Sequence, residues 1–468
     1  MLFRERLATR RDRGGPSPWL VLVTVLTGLG AAGFSVTILA VSLHTVARDL
    51  HASSTLITWT VTGPFLALAI AMPVFGKLGD VAGHRRVYVL GLVGFTIASA
   101  LTAVAWDGVS LVVLRLVGGV AGAATGPASM AIVMRSFPVN DRVRAMGWWS
   151  LVGSGAPVLG LVAGGPIVES IGWRGIFVVQ APLGLVALVA AVFVLHETPR
   201  APSRIDWSGA AALASASVFL LLGLNLGGDL GWGDPIVVVL LAVTPFVFAA
   251  FVHIEQRSSE PLVPLDLFRR RTFSASLAAQ WCANFAYMGG YIVTPLLVER
   301  QFGFSVAAAS LAMVCRPLMF SLSAPAAGYV AVKVGERRAS VTGMVLLVLS
   351  MICFVGASEA HSLALVFVGL VLSGLALGAS QPSLITEAAN TVDDSKLGVA
   401  NAVQQMAAQI GAVIGIQVLS TIQLGGRGTA GFTSAYAVGA VVAAIGIAGA
   451  ALVVPAARRA QLRVARAA

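Results

Sequence analysis

Few ionisable side chains lie inside the long apolar stretches of this 468-residue sequence, and those few could do chemistry there. Arg115 and Arg316 lie within such stretches, and Glu387 lies near the end of another. None of the 20 Asp and Glu residues falls in the middle third of any stretch. In apolar surroundings such side chains relay protons, bind charged ligands or form structural hydrogen bonds.

The two arginines lie at different depths. Arg115 is roughly 8 Å into its stretch at the rise of a helix, so its guanidinium could extend outward to water or face the interior. Arg316 lies near the middle, where an unpaired charge costs about 2.5–3.5 kcal/mol. Pro317 removes a backbone donor, so freed carbonyls could bind this guanidinium, as could Gln280 or Asn284. Contact with a bound ligand is the second interpretation.

A third chemically capable group is a glycine-rich basic segment, Gly76-Lys77-Leu78-Gly79-Asp80-Val81-Ala82-Gly83-His84-Arg85-Arg86. We expect a loop in which Gly76 and Gly83 permit close helix approach and a tight turn. Asp80 can accept hydrogen bonds from a neighbouring helix end, or it can pair with Arg85 or Arg86. The basic residues could serve only to fix orientation, but that interpretation does not explain Asp80. We therefore expect a contact that opens and closes, with Asp80 as its key residue.

A degraded copy of this segment occurs at residues 328–338, which is 252 residues farther along the chain. The copy keeps the glycines at Gly328 and Gly335 and a basic pair, but Val332 stands at the position of the aspartate. A segment that occurs once in each half predicts two related helical bundles.

The elements that must position these residues are long apolar segments. Hydrophobic residues make up 57% of the sequence and charged residues 11%, which leaves too little polar surface for a soluble protein of this length. Each segment is long enough to cross about 30 Å of hydrocarbon as a helix and too long for a barrel strand. The fourteen segments lie near residues 18–43, 55–75, 87–106, 110–133, 145–168, 174–195, 207–227, 235–252, 273–298, 305–330, 340–357, 363–385, 399–422 and 431–456.

The net charge of +11 is distributed unevenly between the two sides of the membrane. With a cytoplasmic N-terminus, 25 of the 31 Lys and Arg residues face the cytoplasm, and only Arg48, Arg174, Arg300 and Arg427 face outward. This asymmetry is typical of a multi-pass plasma membrane protein with both termini inside. It argues against nucleic acid as a partner, and we expect the Arg-rich start to precede a retained first helix rather than a cleaved signal.

Counting segments places the two motif copies after the second and the tenth. A repeated six-helix unit then predicts bundles at 18–195 and 273–456, an inserted helix pair with connecting loops at 196–272, and basic cytoplasmic tails at 1–17 and 457–468. The loop at 253–272 combines prolines, apolar residues and a basic cluster, so we expect it to lie along the inner membrane surface.

Three further motifs, together with residues 76–86, resemble those of the major facilitator superfamily, and within it the fourteen-span branch of drug:proton antiporters. Leu114–Gly119 resembles the family's membrane-arginine motif, Ala156–Gly165 its antiporter motif and Leu397–Val403 the entry to its penultimate helix. The resemblance covers nearly the whole chain. It implies an all-α polytopic membrane protein of two six-helix bundles plus two inserted helices, which exports a small amphiphilic substrate in exchange for protons.

The resemblance also implies roles for the residues that match these motifs. A gate on the inner side would comprise Gly76, Asp80, Gly83, Arg85 and Arg86, and Arg115 would act in gating or proton relay. Gly160, Gly164 and Gly165 would serve either close helix packing alone or a bend that suppresses leak. Two positions depart from the family pattern: Ser35 replaces an aspartate common in the first helix, and Leu161 replaces a proline.

Proton coupling needs a titratable group in the pathway, and the replacement at Ser35 leaves few candidates. They are Glu387, near the inner end of the twelfth segment, with Asp206, His44 and Asp80, and shifting partners of the two arginines could also couple transport. Because the charges inside the membrane are positive, we expect neutral or anionic amphiphiles as substrates rather than dications.

A pocket for such substrates needs aromatic surface and uncharged hydrogen-bonding groups. The candidate lining residues are Ser35, Trp59, Phe285, Tyr287, Tyr291, Gln280, Asn284, Gln381, Gln404, Gln405 and Gln409. Each of them could instead be a packing residue. No ATP-binding or metal-binding motif occurs, so we expect no cofactor and no metal, and we expect the chain to be a monomer.

Other functions are compatible with the same frame. An enzyme would need a convergent catalytic set, which six scattered histidines do not supply. A non-transporting sensor or scaffold would keep the frame and lose coupling, as the replacements at Ser35, Ala40, Leu161 and Val332 allow. An uncoupled facilitator, or an exporter of lipid-like metabolites, is the remaining alternative to multidrug export.

Overall fold

The computed structural model describes residues 16–41, 43–200, 206–426 and 428–453, and within these ranges the chain is helical with no β-strand. The helices are α1 (Pro18–Val41), α2 (Leu43–Asp49), α3 (Ser54–Ala82), α4 (His84–Thr102), α5 (Gly108–Ser136), α6 (Arg142–Ile171), α7 (Arg174–Val194), α8 (Trp207–Leu230), α9 (Pro235–Arg257), α10 (Asp266–Arg269), α11 (Arg271–Phe302), α12 (Val306–Met313), α13 (Cys315–Val334), α14 (Glu336–Ala360), α15 (Leu363–Ala389), α16 (Leu397–Gly425) and α17 (Thr429–Leu452). Short 3-10 turns at Val139–Asp141 and Asp394–Lys396 precede α6 and α16.

Ten of the described helices are long and apolar enough to cross a membrane. They are α4, α5, α7, α8, α9, α14, α15, α16, α17, and α13 together with the end of α12. Each of the fourteen predicted segments nevertheless falls on a long helix, the tenth of them on α12 and α13 together. The all-helical fold is thus confirmed for the described residues, and the crossing of the membrane by all fourteen segments stays a prediction.

Buried side chains form two main clusters. One lies wholly within α11–α17 and includes Leu347, Phe354 and Tyr436. The other combines helices of the N-terminal half with the ends of α15 and α16, and it includes Tyr88, Met134 and Ala400. The two halves therefore share a core at one end of the molecule. We call this the basic end, because Lys77, Arg135, Arg142 and Arg270 lie there.

Glycine allows the two halves to touch backbone to backbone. A Cβ atom at Gly76 in α3 would lie 2.6 Å from the carbonyl oxygen of Gly398 in α16. The equivalent crossing joins α13 to α6, where a Cβ atom at Gly328 would lie 2.8 Å from the carbonyl oxygen of Val143. Because real Cβ contacts are longer than this, a side chain at either glycine would push the halves apart.

The segment at 76–86 is not a loop, so that prediction is wrong. Helix α3 continues to Ala82, and α4 begins at His84, so a single residue makes the turn. That residue is Gly83, whose φ of 103° is a conformation that only glycine adopts cheaply. Gly335 has a φ of 93° at the same place in the second copy. The motif thus holds Asp80 rigidly in the last turn of a helix.

Helices α8 and α9, which are predicted to be an inserted pair, pack against each other, and α8 also contacts α3 and α16. Three apolar residues of the segment that follows α9, namely Leu262, Val263 and Leu267, are buried in the core of the basic end. Backbone N–H groups of Leu262 and Val263 donate to the carboxylate of Glu255, and Lys77 donates to the carbonyl of Pro261 at 3.1 Å. The side chains of Leu262, Val263 and Leu267 therefore do not face a membrane surface, and the position of the rest of the loop along that surface stays a prediction.

Candidate functional site

Asp80 connects the two halves at the basic end. The Gly398 N–H donates to its Oδ1 at 2.9 Å, and the Val399 N–H donates to its Oδ2 at 3.0 Å. The fully buried His84 places Nε2 3.1 Å from Oδ1. We call these four residues the latch. A carboxylate is favoured at the start of α16 because the first N–H groups of a helix have no partner within it.

Further polar contacts join the halves beside the latch. Arg142 donates from Nη1 to Asn390 Oδ1 at 3.1 Å and from Nη2 to Asp394 Oδ1 at 3.0 Å. Arg135 donates to the carbonyl of Asp394, and its Nη2 lies 3.9 Å from Asp80 Oδ1. The sequence interpretation missed Arg142, which directly follows the 3-10 turn before α6, and Asp394, which begins the 3-10 turn before α16. These contacts close the basic end of the interface.

The other basic residues of the motif do not pair with Asp80. Arg85 Nη2 donates to the carbonyl of Val192 at 2.8 Å, and Arg86 Nε lies 3.5 Å from Glu197 Oε2. Both contacts join α4 to the end of α7 within the N-terminal half. The pairing of Asp80 with Arg85 or Arg86 is therefore not found, and its contact with a helix end is.

The crossing of α13 with α6 lacks a carboxylate. Val332, which stands at the position of the aspartate, packs against Val143, Ala331 and Ala339. One crossing between the halves is thus held by charge-assisted hydrogen bonds. The other combines this apolar contact with a hydrogen bond between the hydroxyl groups of Ser154 and Ser321 at 2.8 Å.

A cavity of about 150 Å³ lies between the halves. Its lining residues are Met72, Trp149, Gln280, Gln381, Ile385, Gln404, Gln405, Ala408 and Gln409. We call it the glutamine chamber. Both amide atoms of Gln404 and Oε1 of Gln280 are buried without a hydrogen-bond partner among the described residues. Because such groups are costly when unpaired, the chamber offers hydrogen bonds that water or a ligand can satisfy.

A second cavity, of about 190 Å³, extends from the glutamine chamber into the N-terminal half. The two cavities share Met72, Trp149 and Gln405. Arg115 lines the second cavity, where its Nε donates to the carbonyl of Thr60 at 3.0 Å. This arginine therefore faces the interior, and the alternative that it extends outward to water is wrong.

Arg316 is the largest fully buried side chain of the described residues. Its guanidinium carbon lies 3.9 Å from the centre of the Tyr287 ring and 6.0 Å from that of Tyr291. Nε, Nη1 and Nη2 have no hydrogen-bond partner, and no described carboxylate lies within 4.0 Å of them. A cation–π contact contributes about 2 kcal/mol when desolvated, which is less than the roughly 2.5–3.5 kcal/mol cost of a charge at this depth.

Glu387 is fully buried in α15, between Gln381 of the glutamine chamber and Asn390 at the basic end. Its position along α15 therefore places a carboxylate between the glutamine chamber and the basic end. Asp206, in contrast, caps α8 by accepting from the Gly209 N–H at 2.9 Å, which gives it a structural task.

The remaining predicted lining residues whose side chains the structure describes do not line either cavity. Asn284 donates to the carbonyl of Gln280 in its own helix at 2.9 Å, and the Phe285 ring lies 5.4 Å from that of Trp281. Trp59 is half-buried near Gly63, and Tyr287 and Tyr291 surround Arg316 instead. Gly160 is buried in α6. The side chains of Ser35 and His44, and the surroundings of Leu161, Gly164 and Gly165, lie outside the described residues.

Comparison with known proteins agrees with this architecture. The Major Facilitator Superfamily model matches residues 20–279 and 277–467. The chain is 30% identical over 407 residues to the tetracenomycin C resistance and export protein of Streptomyces glaucescens, covering 86% of this chain and 76% of that protein. It is 30% identical over 429 residues to the probable actinorhodin transporter of Streptomyces coelicolor, covering 88% of this chain and 74% of that protein.

A solved structure has the same fold. The human organic anion transporter MFSD10 superimposes with a TM-score of 0.68 at 17% identity, over 93% of this chain and 100% of that one. Because the family model matches both halves, and with them almost the full length, the chain belongs to the major facilitator superfamily.

Proposed function

We propose that this chain is a fourteen-span secondary transporter that exports amphiphilic small molecules by alternating access, driven by protons. The observation that carries the proposal is a chamber between the two halves that the latch closes at one end. One relative is named for resistance to tetracenomycin C and its export, which supports export as the direction, and another is named as a probable actinorhodin transporter.

The proposed cycle follows from the two crossings. The positive-inside pattern assigns the basic end to the cytoplasm, so the latch holds the cytoplasmic side shut. Release of Asp80 from the start of α16, together with the neighbouring bonds of Arg135 and Arg142, frees that side. The apolar contact around Val332 carries no charge-assisted bond that must break. The substrate then reaches the glutamine chamber from the cytoplasm and leaves on the other side once the latch has closed again.

Glu387 is the proposed proton carrier. It is fully buried between the glutamine chamber and the basic end, and intramembrane carboxylates commonly relay protons. Asp80 is committed to the latch, and Asp206 to capping α8, so neither is as well placed. Arg115 is proposed to support gating through its bond to the Thr60 carbonyl.

The proposal includes the arrangement of the chain in the membrane. Residues 18–195 and 273–456 form the two bundles, and 196–272 form the inserted pair with its loops. A monomer in the plasma membrane with both termini in the cytoplasm is the proposed state.

The test is dye transport by purified protein in proteoliposomes with an imposed pH gradient. We expect the gradient to drive accumulation of a neutral or anionic amphiphilic dye in preference to a dicationic dye. The variant Glu387→Gln should abolish the effect of the gradient and retain exchange of labelled for unlabelled dye. Preferred movement of the dication would contradict the substrate class, and no movement of any dye would indicate a sensor or scaffold.

An uncoupled facilitator is the second candidate. It is favoured by the absence of any Asp or Glu among the described residues that line the two cavities. A facilitator would move the dye equally fast with and without the gradient, and Glu387→Gln would leave that rate unchanged.

A further inference from the structure

The proposed cycle gives no task to Arg316, although its placement is costly. The guanidinium is fully buried, and none of its three nitrogens has a partner among the described residues. A structural role would require a carbonyl or amide acceptor. The side-chain nitrogen of Asn284 instead donates within α11, and the nitrogens of Arg316 bond to no carbonyl of the described residues. The candidate acceptors named from the sequence thus make no bond to Arg316.

The side chain of Arg316 lies between its own helix and α11. Helix α13 packs mainly on α6 and α15, and the Arg316 side chain extends from it to α11. The Tyr287 ring covers one face of the guanidinium, so the N–H groups around its planar edge stay available. A Cβ atom at Gly290 would lie 3.6 Å from both Nη1 and Nη2 and 3.3 Å from Cε of Met351, so the glycine places no side chain of its own against these two nitrogens.

The chemistry of this site selects an anion with an aromatic body. Two parallel N–H groups of a guanidinium match the two oxygens of a carboxylate. Tyr287 and Tyr291 offer ring faces beside it, and Phe320 packs against Tyr287 with ring centres 6.3 Å apart. Aromatic rings of this kind pack well against a planar ring system.

We propose that Arg316, with Tyr287 and Tyr291, binds the carboxylate, or a similar two-oxygen anion, of a planar aromatic substrate. The inference rests on the proposed function, because a chain that passes amphiphiles between its halves is the one that can admit such a ligand to this site. Arg316 is enclosed in the present conformation, so the anion binds in the state that opens the region between α11 and α13. The anion then supplies the acceptors that the protein does not.

Equilibrium binding of a matched ligand pair tests the assignment. The probes are anthraquinone-2-carboxylate and its uncharged carboxamide, measured by quenching of tryptophan fluorescence in the purified full-length protein. We expect the wild type to bind the carboxylate about tenfold more tightly than the amide, as a charge-assisted two-bond contact does. Arg316→Gln should remove this preference, and Arg316→Lys should retain only part of it because it lacks the planar pair of donors.

Two further variants separate binding from folding. Arg144→Gln is the matched control, because Arg144 also lies over a tyrosine ring, that of Tyr329 at 5.3 Å, but at the basic end. It should keep the preference. Gly290→Ala retains every charge and places a methyl group against the guanidinium, so it should weaken binding of the carboxylate more than that of the amide. Arg316→Gln should melt at the same temperature as the wild type or higher, since it removes an unpaired buried charge.

Several results would contradict the assignment of Arg316 as an anion-binding residue. A carboxylate preference that persists in Arg316→Gln, or a wild type that binds both probes equally, overturns the assignment. A lower melting temperature of Arg316→Gln with an unchanged preference would show a structural role instead. Displacement of the carboxylate when chloride replaces gluconate, seen only with Arg316 present, would assign the site to an inorganic ion and also overturn it. Transport of the neutral amide in liposomes reports on the proposed function independently, because it does not need the charge.

Discussion

Both carboxylate oxygens of Asp80 accept backbone hydrogen bonds from the opposite half of the molecule. An asparagine at this position offers one oxygen acceptor, and its NH₂ group would face a backbone N–H. We expect Asp80→Asn to slow turnover about tenfold while substrate affinity changes less, because one charge-assisted bond of roughly 1.5–3 kcal/mol is lost from the closed state only. Transport rates over a range of dye concentrations in proteoliposomes measure this.

Asp141→Asn is the control for that experiment. Asp141 also accepts from an arginine near the basic end, Arg144 at 2.9 Å, but both residues belong to the N-terminal half. A turnover rate reduced equally in the two variants would show that the effect of Asp80 is not specific to the contact between halves.

Asp49 lies at the end of the molecule opposite the latch, and it bonds to Trp173 and Arg174 within the N-terminal half. Hydrogen bonds from the Trp173 indole and the Arg174 guanidinium lower the pKa of Asp49 below its usual value of 3.8. A lowered folded-state pKa gives stability that is present above the unfolded value and is lost as the pH falls through the folded value. Asp49→Asn should therefore lower the melting temperature at neutral pH and have a smaller effect at a pH well below 3.8. An effect of equal size at both pH values would contradict this.

At the scale of helices, the closest contact between the halves is the crossing of α3 with α16. A Cβ atom at Gly76 would lie 2.6 Å from a carbonyl oxygen of Gly398 and 2.7 Å from the Cβ of Ala402. Gly76→Ala should lower the free energy of unfolding by about 1–3 kcal/mol, and with it the melting temperature, because two backbones must move apart. Thermal melting in detergent measures it.

Gly30→Ala is the matched helical control. Its Cβ atom would meet one neighbour, Val152 Cγ1, at 3.5 Å, which is an ordinary van der Waals distance. Since alanine is the better helix former by about 1 kcal/mol in water, this variant should be neutral or stabilising. Equal losses of stability in Gly76→Ala and Gly30→Ala would exclude a special role for the crossing.

The predicted inserted pair, α8 and α9, also contributes to the packing around this crossing. Helix α8 contacts both α3 and α16, so it lies beside the crossing that carries the latch. The loop after α9 bonds to Lys77 of α3 through the carbonyl of Pro261. Arg270, at the end of the loop, donates to the carbonyl of Thr391 in the C-terminal half. Any opening of the basic end must therefore move this loop as well as the latch.

At the scale of the whole molecule, the hydrogen bonds between the two bundles are concentrated at the basic end. Spin labels at Asn140 and Ser395, the exposed middle residues of the 3-10 turns before α6 and α16, should report the closure of this end. We expect one short distance in the wild type and a larger share of long distances in Asp80→Asn, because the closed state loses its hydrogen bonds. Double electron–electron resonance measures the distribution.

A second label pair serves as the control for alternating access. Ser170 and Leu424 are exposed near the opposite ends of α6 and α16. If the bundles rock about the chamber, the distance between these labels should decrease in the molecules in which the distance between Asn140 and Ser395 increases. Lengthening at both ends together would contradict alternating access.

Length, hydropathy and charge placement in the sequence were sufficient to predict the all-helical fold, because a helix that crosses hydrocarbon must satisfy its own backbone along one continuous apolar segment. They also made Asp80 notable, since a carboxylate among glycines and basic residues is not explained by topology alone. The loop prediction for 76–86 failed for a local reason: one glycine with positive φ suffices for the turn, and the other glycines serve helix packing.

Only the tertiary structure decided which residues meet. Gln280, Gln381 and Gln405 come from three helices that are far apart in the chain, and no periodicity in a single segment encodes their meeting. The predicted lining set therefore divided into the glutamine chamber and the tyrosines around Arg316. Contacts such as Asp80 with Gly398 depend on how two bundles pack, which is a sum over many distant side chains. The sequence by itself determined the elements and their charges, and the packing decided their partners.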